Sequence, residues 1–87
     1  MSIIFARTAL RDLQSFPRNV QRRIVDKMEW FALQENPLAF AKPLTDFRLG
    51  THRFRIGVYR VFVEVKRDRI SVLFVLAIRH RENAYKV

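Results

Sequence analysis

Cysteine is absent from this chain of 87 residues. Its absence excludes disulfides, zinc–thiolate centres and thiol nucleophiles. Two glycines and three prolines are too few for flexible linkers or a disordered chain. No stretch approaches ~20 uncharged apolar residues, so no membrane-spanning helix is expected. The apolar run at residues 3–6 is shorter than a secretory signal core, which makes the cytoplasm the expected compartment. Two histidines without clustered carboxylates make no convincing metal site, so no metal is expected. There is no Gly-rich phosphate loop, no zincin-type His-Glu motif and no nucleophile elbow around Ser2, Ser15 or Ser71. No cofactor is expected either.

Acidic residues are the remaining scarcity. Eight of them face seventeen basic residues, for a net charge of +9. Residues 1–47 carry seven basic and five acidic side chains, net +2; residues 48–87 carry ten and three, net +7. Thirteen of the seventeen basic residues are arginine. Guanidinium forks grip phosphate or carboxylate bidentately, where lysine is a point charge. A C-terminal half this basic seeks a polyanion: nucleic acid, an anionic membrane face or an acidic protein. The 49% hydrophobic composition, with eight Phe and one Trp, must supply one thin core. A single domain over residues 1–87 is expected.

Two periods organise the chain. Residues 3–6 read as a short strand. Thr8 is placed to cap a short helix ending near Gln14. Pro17 suits the first position of a second helix over about residues 18–34. Val20, Ile24, Met28 and Phe31 fall on one helical face, widened by Val25 and Ala32. Trp30 lies at the edge of that face, where partial burial or a partner-contact patch is expected. Asn36-Pro37 ends the helix. Residues 38–48 read as a loop or irregular short helix, broken at Pro43.

After Gly50 the period becomes two. Phe54 and Ile56 alternate with Arg53 and Arg55. Gly57 marks a turn or bulge. Tyr59, Val61, Val63 and Val65 then alternate with Arg60, Phe62 and Glu64. Residues 66–69 form a polar turn, and residues 70–78 are apolar on both faces, as in a central strand. The fold class is therefore α+β, in the order β-α-α-β-β-β. A helical hairpin should cover a small, mostly antiparallel four-stranded sheet.

The chemistry-bearing residues are arginines. Arg53, Arg55 and Arg60 share the sheet face that the apolar stripes leave unclaimed. The last strand ends at Arg79, beside His80 and Arg81, with Tyr85 close behind. Such a set can hold a phosphodiester and stabilise added negative charge on it. The same alternation also suits a plain solvated strand face, and His52 reads as an edge residue.

The string Phe54-Arg55-Ile56-Gly57-Val58-Tyr59-Arg60-Val61-Phe62 resembles a motif of the RelE toxins, in the RelE/ParE superfamily. The ending Ile78-Arg79-His80-Arg81, followed by Tyr85, resembles that family's closing strand and tail. Lys42-Pro43-Leu44, then Gly50 and a basic strand, fits the family's spacing, and the element order is the family's order. The resemblance implies a type II toxin that cleaves messenger RNA without a metal, typically on the ribosome. Its partner would be a cognate acidic antitoxin, with operator DNA bound only through their complex. Position by position, it implies catalytic roles for Arg60, Arg81, His80 and Tyr85, with Arg79 the alternative to Arg81. Arg53, Arg55 and Arg79 would bind RNA. Some members of that family carry lysine on the second strand; Arg53 and Arg55 stand there in this chain and cannot serve as a base. The general base is thus His80, Glu82 or none. The superfamily also contains ParE-type toxins that inhibit DNA gyrase without cutting nucleic acid, and a degenerate antitoxin-binding domain is a further reading.

Overall fold

Period-two segments became strands and the period-3.6 segment became a helix. The computed structural model describes residues 1–83; Tyr85 lies outside them. In chain order the elements are β1 (Ser2–Phe5), α1 (Arg7–Gln14), α2 (Arg18–Leu33), β2 (Ala41–Pro43), β3 (His52–Ile56), β4 (Tyr59–Arg67) and β5 (Ser71–His80). Short 3-10 turns occupy Pro37–Phe40, Phe47–Leu49 and Arg81–Asn83. The sheet order is β1-β5-β4-β3-β2. All pairs are antiparallel except β1 with β5. Among the described residues, no helix is long and apolar enough to cross a membrane.

The α+β class holds, with one correction: the sheet has five strands, not four. The extra strand, β2, falls in the stretch expected to be a loop. It is three residues long, too short to show alternation, and exists by pairing Ala41 with Phe54 and Pro43 with His52. Proline is tolerated there because β2 is an edge. A second correction concerns Thr8. The chain passes straight from β1 into α1, with Ala6 at the cap position and no side-chain cap bond. The Thr8 hydroxyl instead donates to the Leu76 carbonyl at 2.7 Å. A further bond crosses the same edge: the Ile78 amide donates to Asp12 Oδ2 at 2.9 Å. Helix α1 thus covers the part of β5 that short β1 leaves open, and satisfies its backbone.

The core lies between the helices and one sheet face. Ile24, Met28 and Phe31 of α2 are buried against Phe54, Ile56, Val61, Val63, Leu73, Val75 and Ile78. The Phe31 and Phe54 rings stack at 4.7 Å. Each such side chain contributes about 1.5–3 kcal/mol by leaving water. Trp30 stays 43% exposed, edge-on to Phe31 and Phe40, with the Lys27 ammonium 4.3 Å from its ring centroid. Between β3 and β4, Ile56 pairs with Tyr59. That leaves Gly57-Val58 as a two-residue loop with Gly57 at φ 58°, the glycine a tight hairpin asks for at its first position.

Two expectations about stability arise here. Asp12→Ala strands the Ile78 amide, which should cost about 1–3 kcal/mol in a urea melt. An unchanged midpoint would show that α1 does not secure the edge of β5. The second concerns His52, whose imidazole is pushed below its usual 6.5, first by burial and then by Arg67. Folding therefore favours the neutral ring. That stability is fully present above about pH 6.5 and is lost as pH falls through the lower folded value. His52→Gln should flatten this acid-side slope in melts at pH 7.5 and pH 5; an equal slope in the variant would contradict the assignment.

Candidate functional site

The arginines meet through strand register. In β3 and β4, Arg55 is opposite Arg60. In β4 and β5, Arg60 is opposite Arg79. The three form one row across three strands, spanning about 10 Å at ordinary strand spacing. The next row on the same face is Arg53, Phe62 and Ala77. Cross-strand partners point to one face, and it is the face away from Phe54, Ile56 and Val61. The expectation that Arg53, Arg55 and Arg60 share a face is thus met by the pairing.

A one-residue irregularity decides which C-terminal arginine joins them. The register shifts between Phe62 and Val63, so Phe62 pairs with Ala77 but Val63 pairs with Val75. Leu76 is the extra residue, a β-bulge. Extending the register from the Arg67–Ser71 pair without that bulge would set Arg60 opposite Ile78. The bulge moves Arg79 into the row and keeps Ile78 in the core. Arg81 sits just past the strand end. Its amide donates to the Val58 carbonyl at 2.7 Å, and its side chain is exposed at the start of the last 3-10 turn.

His80 is not brought into the row. It pairs with Tyr59, and the two rings meet edge-on at 5.7 Å. Tyr59 in turn packs on Phe16 at 4.9 Å, on the helix side of the sheet. The Glu82 amide lies 3.3 Å from His80 Nδ1. That assigns the proton of the neutral ring to Nε2. Glu82 itself is exposed. Arg53, Arg55, Arg60 and Arg79 therefore share one face, Arg81 stands at its end, and His80 leaves from the opposite face.

A segment crossing the arginine face completes the site. The Thr51 amide donates to the Val63 carbonyl at 2.9 Å, where the bulge bends the sheet. Gly50 beside it has φ 115°. A Cβ there would lie 2.5 Å from the Val63 carbonyl oxygen, so only glycine permits the crossing. Before it, Arg48 is held by Asp46: Nε to Oδ1 at 3.0 Å, Nη2 to Oδ2 at 2.9 Å and the amide to Oδ1 at 3.1 Å. These side-chain and backbone hydrogen bonds hold the Asp46 carboxyl below the usual carboxylate range. Between this segment, α1 and β5 lies a groove of about 340 Å³. Arg11, Arg48 and Arg79 all line it. The sequence reading did not single out Arg11 or Arg48. They stand 37 positions apart on different elements, and no linear spacing announces their meeting.

A family profile and three solved structures match the chain. The profile described as the ParE toxin of the type II toxin–antitoxin system parDE matches residues 3–85. The toxin–antitoxin complex RelBE2 of Mycobacterium tuberculosis contains a chain 30% identical to this one. The match covers 92% of this chain and 96% of that one, with a TM-score of 0.73. The RelB–RelE complex of Methanococcus jannaschii matches at 21% identity, 94% coverage of both chains and TM-score 0.64. The RelE–RelB complex of Pyrococcus horikoshii matches at 22% identity, 92% and 93% coverage and TM-score 0.66; these two share the fold. No curated protein sequence matches the chain. With 83 of its 87 residues inside the family profile, the chain belongs to the RelE/ParE family of toxins of type II toxin–antitoxin systems.

Proposed function

We propose that this toxin is a metal-independent endoribonuclease that cuts messenger RNA, with the ribosome as its setting in the cytoplasm. The observation that carries the reading is the Arg55–Arg60–Arg79 row, with Arg53 in the adjoining row. In the reaction the 2′-oxygen of RNA attacks the neighbouring phosphorus and the 5′-oxygen leaves. The bond made is 2′-O–P and the bond broken is P–5′-O. Negative charge grows on the non-bridging oxygens in between. Guanidinium groups fixed by a sheet stabilise that charge more than the ground state. They supply cationic character without a metal and cannot act as bases. Arg81 stands at the end of this face, and Tyr85, which lies outside the described residues, is given the role of a stacking group for a base. His80 remains the titratable candidate for proton transfer, and serves only if substrate reaches round the end of β5.

The regulator is an acidic antitoxin segment that orders on the +7 half of the chain. The three related structures are themselves toxin–antitoxin complexes. Co-expression should rescue growth and the pair should elute together.

A gyrase-directed reading is kept because the matching profile is that of ParE. One experiment separates the two. After brief induction, RNA 5′ ends are mapped and plasmid supercoiling is assayed in the same cells. New RNA ends with normal supercoiling support the nuclease. Intact RNA with lost supercoiling supports the gyrase reading.

A further inference from the structure

The groove beside the arginine row has walls that the row does not account for. Its floor is formed by Leu76 and Ala77, with Phe62 buried beneath them, and Phe62 and Ala77 lie one register step from Arg60 and Arg79. One wall is α1, which presents Arg11; the other is the crossing segment, which presents Arg48 and Leu49. The acids nearby are already engaged. Asp12 Oδ2 accepts from the Ile78 amide, and Asp46 orients Arg48. Asp46 uses two of the five guanidinium N–H donors of Arg48. Three remain for a ligand.

We propose that this groove is a second nucleotide subsite. Arg11 and Arg48 grip the backbone phosphate next to the one held by the arginine row, and the apolar floor takes the base. The inference rests on the nuclease reading and extends its substrate from one phosphodiester to a strand of defined path. Cations flanking an apolar floor match a nucleotide, which brings both an anion and a planar apolar face. An acidic peptide brings carboxylates in place of phosphates and is the rival occupant that the test must separate. The volume of about 340 Å³ lies within the range of small-ligand clefts. Bidentate guanidinium–phosphate contact supplies the affinity.

The test uses the full-length toxin and non-cleavable 2′-O-methyl RNA, as a dinucleotide and as a hexanucleotide. Binding is read by fluorescence anisotropy at several salt concentrations. The double variant Arg11→Gln/Arg48→Gln should bind the hexanucleotide about tenfold more weakly, the size of one lost charge-assisted contact. Its salt slope should fall by about 0.7, for one phosphate released. Dinucleotide binding should not change. Unchanged hexanucleotide binding would overturn the proposal, and so would an equal loss on both lengths. A tenfold loss on polyglutamate with none on RNA would make the groove a peptide site instead. Cleavage of an unmodified messenger RNA programmed on ribosomes is scored separately. Normal cutting with unchanged binding overturns the subsite alone; no cutting by wild type, with the length-dependent loss intact, overturns the nuclease reading alone.

Discussion

Arg60→Ala should slow RNA cleavage by about a hundred- to a thousandfold, the cost of removing one donor from an oxyanion site. Arg60 is the centre of the row, with Arg55 on one side and Arg79 on the other. Among the described residues no other arginine has an arginine opposite it on both neighbouring strands. Its substitution therefore weakens the cationic field at the middle, where the proposed mechanism puts the transferring phosphorus. Arg60→Lys keeps the charge but loses the fork, so its rate should fall between those of wild type and Arg60→Ala. The fold should survive, because like charges directly opposite on a sheet do not stabilise it. Single-turnover rates on a defined RNA give the effect, and circular dichroism melts give the control. A folded Arg60→Ala protein with an undiminished rate would remove the arginine row from the mechanism. Arg79→Ala should behave like Arg60→Ala because the bulge at Leu76 puts it in the same row.

Gly50→Ala should lower the melting temperature by about 10 °C or more. The backbone at Gly50, φ 115° and ψ −166°, lies in a region populated almost only by glycine, and forcing another residue there costs on the order of 1–3 kcal/mol. The new Cβ would also press within 2.5 Å of the Val63 carbonyl oxygen, a backbone atom that cannot swing aside. That oxygen accepts from the Thr51 amide, so relief of the clash breaks a hydrogen bond and adds about 1 kcal/mol. At about 4–8 °C per kcal/mol for a domain of this size, the sum is a large fraction of the total. Activity should fall with stability, because the crossing segment carries Arg48 and walls the groove. A melting temperature within about 3 °C of wild type would show that this segment is not pinned to β4.

Much of this architecture was legible because it is periodic. The stripe of Val20, Ile24, Met28 and Phe31 sits on the core as helical spacing requires. The alternation through Arg53 to Val65 assigned each arginine its face before any pairing was known. What escaped the sequence has no period. Strand β2 is three residues held by its neighbour. The crossing at Gly50 depends on one backbone conformation. The bulge at Leu76 lies within a strand apolar on both faces, where a one-residue shift leaves the hydrophobic pattern intact. That shift determines that Arg79, not Arg81, aligns with Arg60. It also fixes His80 opposite Tyr59, away from the arginines. The residue types of the site were readable from the motif; their assembly was not, because it is set by register and by a chain crossing.

The most direct test of the central claim is the chemistry of the cut end. Purified toxin is given an RNA substrate in EDTA, with the ribosome, if needed, kept intact by polyamines. A matched substrate carries a 2′-O-methyl group on the nucleotide 5′ to the scissile bond. If arginines stabilise attack by the substrate's own 2′-oxygen, the unmodified RNA is cut and the upstream fragment ends in a 2′,3′-cyclic phosphate or its 3′-phosphate product. The methylated RNA stays whole. An upstream 3′-hydroxyl, or normal cutting of the methylated substrate, would mean that water is the nucleophile and that the arginine row is not the centre of the reaction.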